Sequence, residues 1–187
     1  MKNNILFDTL VQAALDCGAD RAAVIPAADL VTDVRFRDMC AANSCGVYGK
    51  CYMCPPDVGA IDELIRSLSQ YTHVLVYQRV STLEDSFDFE GMQQARRSQH
   101  RLAQALRDAL DALPLTDALH LSVGGCGICA VCAKQTGEVC RFPDRAMASL
   151  EAYGIHVSEM ARAAGMKYIN GENTVTYFGA VLFNKED

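Results

Sequence analysis

The chain has 187 residues, half of them hydrophobic and 21% charged, which is the composition of one globular domain with its own core, not of a disordered chain. Its 17 basic and 23 acidic residues give a formal charge of −6. With no basic block, that balance argues against nucleic acid or an anionic membrane as the main partner. Nine cysteines are the unusual count, too few for a disulfide scaffold of this length.

In chain order, Ile5 to Cys17 reads as a helix, with Leu6, Leu10, Ala14 and Cys17 at helical spacing and Gly18 as its stop. Asn3, Asn4, Asp8 and Gln12 interrupt any signal-like apolar run there. No apolar stretch approaches the ~18 residues of a membrane span. The expected location is therefore cytoplasmic, where thiols stay reduced. Arg21 to Pro26 suits a strand, and Ala28 to Met39 is ambiguous. After Pro55-Pro56, the residues Ile61, Leu64, Ile65 and Leu68 mark a helix. His73 to Gln78 is a buried strand by its near-continuous apolar run. Gly91 to Leu113 is a long helix closed by Pro114, and Ala118 to Val123 is a further strand. Pro143 to Tyr153 and His156 to Ala164 read as helices separated by Gly154. Lys167 to Ile169 and Thr174 to Leu182 suggest a hairpin around Asn170-Gly171. This alternation predicts one α/β domain over residues 1–187, with a mainly parallel sheet flanked by helices and a C-terminal hairpin. Both cysteine groups fall in loops, and Gly124-Gly125-Cys126 lies where a strand ends, the usual place for a ligand.

Eight of the cysteines form two groups, Cys40-x4-Cys45-x5-Cys51-x2-Cys54 and Cys126-x2-Cys129-x2-Cys132-x7-Cys140, and the stretch from Pro55 to Gly125 contains none. Cys17 stands apart and reads as a small core residue. Two clusters of four in a reducing compartment point to metal ligation, with disulfides the weaker reading. In the second group, C-x2-C-x2-C is the tight part of a [4Fe–4S] loop: three thiolates two residues apart can each reach one iron. Cys140 completes the set. Gly124, Gly125 and Gly127 allow close backbone approach, and Lys134, Arg141 and Arg145 bring positive charge. Structural zinc is the alternative, although its ligands usually come as two separated pairs.

The first group matches no common zinc finger. Cys51-Tyr52-Met53-Cys54 has redox-motif spacing, but no strand leads into it. Either all four cysteines hold a second cluster or metal, or three do and one is spare. Three thiolates with an open iron would permit Lewis-acid chemistry. Arg35, Arg37 and Lys50 flank the group. Glu151 and Lys50 are acid–base candidates by proximity alone. The histidines at 73, 100, 120 and 156 are not needed, since the cysteines can close two sites by themselves.

Asn43-x-Cys45-Gly46-x-Tyr48-Gly49, Met53-Cys54-Pro55-Pro56 and Val58-Gly59 resemble the DUF2284 family of metal-binding proteins. So do Gly125-Cys126-x2-Cys129-x2-Cys132, Cys140-Arg141-x-Pro143, Ser149 to Val157, Ala164-Gly165 and the closing strand from Tyr177 to Leu182. The resemblance runs from about Arg35 onward. It implies a small cysteine-rich protein that binds metal as iron–sulfur, and it carries no settled reaction. It also implies Cys40, Cys45 and Cys54 as ligands, with Cys51 the doubtful fourth. The leading expectation is an iron–sulfur protein with one [4Fe–4S] cluster and a possible second, serving a redox partner protein or a small-molecule substrate. The competing expectations are a zinc-stabilised interaction module and an enzyme that binds substrate at an open iron.

Overall fold

The alternation along His73 to Thr82 shows how the molecule is layered. Val74 and Val76 face one core cluster, and Leu75 and Tyr77 face another, as the two-residue period of a strand requires. A computed structural model describes residues 2–185, with side chains from Ile5 onward. Its helices are α1 (Lys2–Asp16), α2 (Phe36–Ala41), α3 (Ile61–Ser67), α4 (Phe89–Leu110) and α5 (Val157–Ala163). Its strands are β1 (Arg21–Pro26), β2 (His73–Thr82), β3 (Leu115–Ser122), β4 (Ala148–Ser149) and β5 (Thr174–Lys185). They form one sheet in the order β1-β2-β5-β3-β4.

On one face, α1 and α4 place Leu10, Ala14, Leu102 and Leu106 against Leu75, Val181 and Phe183. On the other, Leu150, Ile155 and Met160 pack on Val74, Val76, Ala180 and Leu182. Asp88 caps α4, its side chain accepting a hydrogen bond from the Gly91 amide at 2.8 Å. The single mixed α/β fold with flanking helices is as expected.

The expected mainly parallel sheet is not. β1–β2, β2–β5 and β3–β5 are antiparallel, and only the short β3–β4 ladder is parallel. For β2–β5 and β3–β5 the cause is the last strand. β2 and β3 share a direction, as the crossover through α4 demands, but β5 lies between them and opposes both. The expected hairpin is absent too: β2 takes one edge of β5 from Thr174 to Phe183, β3 takes the other only from Ala180 onward, and Lys167 to Ile169 forms no strand. The segment turns instead, with Asn170 donating to the Lys167 carbonyl at 3.0 Å and Tyr168 stacking on Phe178.

The expected helix from Pro143 to Tyr153 is likewise replaced. Two 3-10 turns, Pro143–Arg145 and Glu151–Tyr153, flank β4, whose Ala148 and Ser149 pair with Leu121 and Ser122. Arg145 donates to Gln104 and forms a salt bridge with Asp108 at 2.6 Å, tying this segment to α4. Among the described residues no helix is long and apolar enough to cross a membrane.

Candidate metal centre

The first cysteine group begins on a helix. Cys40 sits in the last turn of α2, so it departs from the expectation that all eight lie in loops. α2 is fixed by its surroundings. The Asp33 amide donates to the Gly154 carbonyl at 2.8 Å, and Arg37 donates to the Gly59 and Ala152 carbonyls at 2.8 and 3.4 Å. Beyond α2 the chain coils through Asn43, Gly46 and Gly49, all at positive φ. The Asn43 side chain accepts from the Tyr48 amide at 3.0 Å, and the Gly49 amide donates to the Pro55 carbonyl at 2.9 Å. This closed coil turns Cys51 and Cys54 inward, each only 7% exposed, while Cys45 stays on the surface.

The second group occupies the β3–β4 crossover, leaving the carboxyl end of β3 as expected. Gly124 and Gly127 turn it at positive φ. Gly127 is also a close approach: a Cβ there would meet the His100 ring at 3.0 Å. The Arg141 guanidinium donates to the Val131 carbonyl at 3.1 Å and bonds Cys129, so it braces the loop and offsets thiolate charge together.

Four contacts join the two loops. The Tyr52 hydroxyl donates to the Glu138 carbonyl at 2.7 Å. Lys134 forms a salt bridge with Asp57 and lies 5.6 Å from the centre of the Tyr52 ring. A Cβ at Gly125 would lie 3.6 Å from Cys54 Sγ. The two groups, far apart in sequence, therefore share one location.

The four-and-four grouping changes in space. Cys51 joins Cys126, Cys129, Cys132 and Cys140 around a hollow of about 30 Å³. Cys40, Cys45 and Cys54 remain within electrostatic reach of one another. Cys51 and Cys54 are hydrogen-bonded to each other and connect the two sets. The Cys54 thiol, together with the amides of Cys126 and Met53, holds Cys51 well below the usual thiol range despite its burial. Cys54, the donor of that pair, is pushed up, as is Cys126, where burial outweighs the amides of Ile128 and Met147. Burial also raises Cys40 against the opposing charge of Arg37. Backbone amides aimed at sulfur are the outer contacts that a metal–thiolate centre uses. No carboxylate or imidazole lines the hollow, so its donor set is purely thiolate, which suits iron–sulfur or zinc. In the side-chain arrangement described, no group of three His, Cys, Asp or Glu is already closed on a single cation position among the described residues.

The other expected residues divide. Arg141 and Lys134 reach the second group, whereas Arg145 is turned to Asp108 on α4. Arg35 pairs with Asp33 and is mostly exposed, leaving Arg37 as the cation beside Cys40. Glu151, expected near the second group, lies instead within electrostatic reach of Cys40, and burial raises its carboxyl. Cys17 packs at the edge of the α1–α4 core as a small apolar residue. His73 stacks on Phe183 and meets Phe7 at a tilt, and His156 packs on Phe36. Sequence reasoning missed the contribution of α4. Arg96, Arg97 and His100 line a cleft over the second loop together with Lys50. Only the Arg-Arg pair within an amphipathic helix hinted at it.

No curated protein and no solved structure matches this chain. A family model does, over residues 23–183, and its description is a predicted metal-binding protein. That span contains both cysteine groups and all of the fold but α1, the first residues of β1 and the last of β5, and the chain belongs to the DUF2284 family.

Proposed function

We propose that the protein is a cytoplasmic iron–sulfur protein with an electron-transfer or redox role. Cys126, Cys129, Cys132 and Cys140 would hold a [4Fe–4S] cluster, and Cys40, Cys45 and Cys54 would serve a second metal position with Cys51 between the two. The observation that carries this reading is the convergence of both cysteine groups on one location, around a hollow that no carboxylate lines and with backbone amides directed at Cys51. When bound, such a cluster supplies one-electron transfer at a potential set by its hydrogen bonds and exposure. The chain supplies thiolates, amides directed at Cys51 and Cys126, and the Arg141 cation at Cys129. Val131, Val139 and Phe142 expose apolar surface beside these thiols, a rim suited to a redox partner protein.

A zinc-stabilised interaction module is the second reading, favoured by the size of the hollow. At about 30 Å³ it has room for one ion without rearrangement. Anaerobic spectroscopy separates the two. The iron–sulfur reading expects a brown protein with broad absorbance near ~400 nm that bleaches on dithionite addition. A colourless protein that is unchanged by reductant and unfolds on chelation belongs to the zinc reading.

A further inference from the structure

A cleft of about 390 Å³ opens beside the hollow, within the ~300–1,000 Å³ range of small-molecule sites. Its walls differ in chemistry. The loop wall carries Cys126, Cys129 and Cys132, and Cys51 joins them. The α4 wall carries Arg96, Arg97 and His100, and Lys50 stands on the first loop. No aspartate or glutamate lines the cleft. The side chains of Lys50, Arg96 and Arg97 make no salt bridge or hydrogen bond with any described residue. In a chain of net charge −6, three cations gathered without a carboxylate are a local reversal of sign.

Other cations already face the cysteines. Arg37 already lies beside Cys40, and Arg141 bonds Cys129. Arg96 is held over the second loop, its Cδ 3.7 Å from the position of a Cβ on Gly124. His100 packs on Gly127, and burial with the neighbouring Arg96 charge lowers its imidazole to about 4. It is neutral at pH 7 and can both donate and accept. Two guanidinium groups, an ammonium and a neutral imidazole around one opening match the oxygens of a carboxylate or phosphate.

We infer that the cleft between α4 and the second cysteine loop binds a small anionic molecule, carrying carboxylate or phosphate, next to the thiolate centre. This rests on the metal–thiolate reading and gives its substrate class. Lys50, Arg96 and Arg97 supply the charge, and His100 orients the anion.

The test is calorimetric titration of the anaerobically purified, metal-loaded protein with inorganic phosphate, with malonate and with neutral malonamide. Metal content is measured on every sample. Binding of phosphate or malonate but not malonamide is expected. Arg96→Gln/Arg97→Gln should weaken it at least about tenfold with unchanged metal content, and Arg66→Gln, on α3 away from the cleft, should leave it intact. The exposed Arg97→Gln alone should show a smaller loss in the same direction, which guards against misfolding of the double variant. The inference is overturned if neither anion binds the loaded protein, if malonamide binds equally, or if the variants bind as the parent does. It is also overturned if the variants lose metal while the parent binds no anion, because the cations then serve the centre itself. Absence of metal from the parent protein contradicts the metal–thiolate reading instead, and the metal assay reports that separately.

Discussion

At the scale of single residues, the position of Cys51 matters most. Its spacing assigns it to the first group, yet its side chain lines the hollow of the second and bonds Cys54 of its own. Sequence spacing could not reveal this, because the contact depends on two loops meeting through Tyr52, Asp57, Lys134 and Glu138. That Cys126, Cys129, Cys132 and Cys140 gather around one hollow was legible, since their spacing is that of one wrapped loop. Cys17 was also legible from its place on α1. Cys126→Ser is therefore expected to lower bound metal and the visible absorbance, whereas Cys17→Ser leaves both unchanged. Equal loss in the two variants, read by metal analysis, contradicts the assignment.

Among the elements, existence was easier to read than direction. The apolar run of β2 and the stripe of α4 follow periods that sequence displays directly. That β5 inserts between β2 and β3 depends on pairing with β2 across more than ninety residues and with β3 across about sixty to seventy, which no local period encodes. The helix expected at Pro143 to Tyr153 failed for a related reason. Its apolar residues suit a buried turn-strand-turn as well as a helix, and pairing with β3 decided between them. Gly179 records how tightly β5 is held. It stands opposite Tyr77, and a Cβ there would lie 2.3 Å from the end of the Tyr77 ring. Gly179→Ala should destabilise the fold by about 1–3 kcal/mol through overpacking, seen as a lower urea midpoint. An unchanged midpoint would show that the ring moves aside freely.

For the molecule as a whole, the sheet carries a half-buried histidine as well as apolar residues. His120 on β3 is lowered to about 4, by burial first and then by Arg107, with Asp111 opposing. Its ordinary value is 6.5. Between these values the unfolded chain takes up a proton that the folded chain refuses, so stability falls as pH drops from 6.5 toward 4. At higher pH the term vanishes. Its full size is at most about 3 kcal/mol. His120→Leu, placed against the same helix face, removes it. The unfolding midpoint of the variant relative to the parent should therefore rise as pH falls from 7 to 5. A gap that is independent of pH contradicts the assignment, and the paired comparison cancels any acid loss of metal common to both proteins.

The same scale holds the central claim. Two cysteine groups separated by a helix-strand-helix-strand stretch are brought together at one end of the sheet, where the loops bond each other and the amides face sulfur. An iron–sulfur centre is the use we propose for this arrangement. Its most direct test is the iron, zinc and acid-labile sulfide content of protein purified without oxygen. The account expects roughly four to eight irons per chain with matching sulfide. Stoichiometric zinc with neither iron nor sulfide contradicts it.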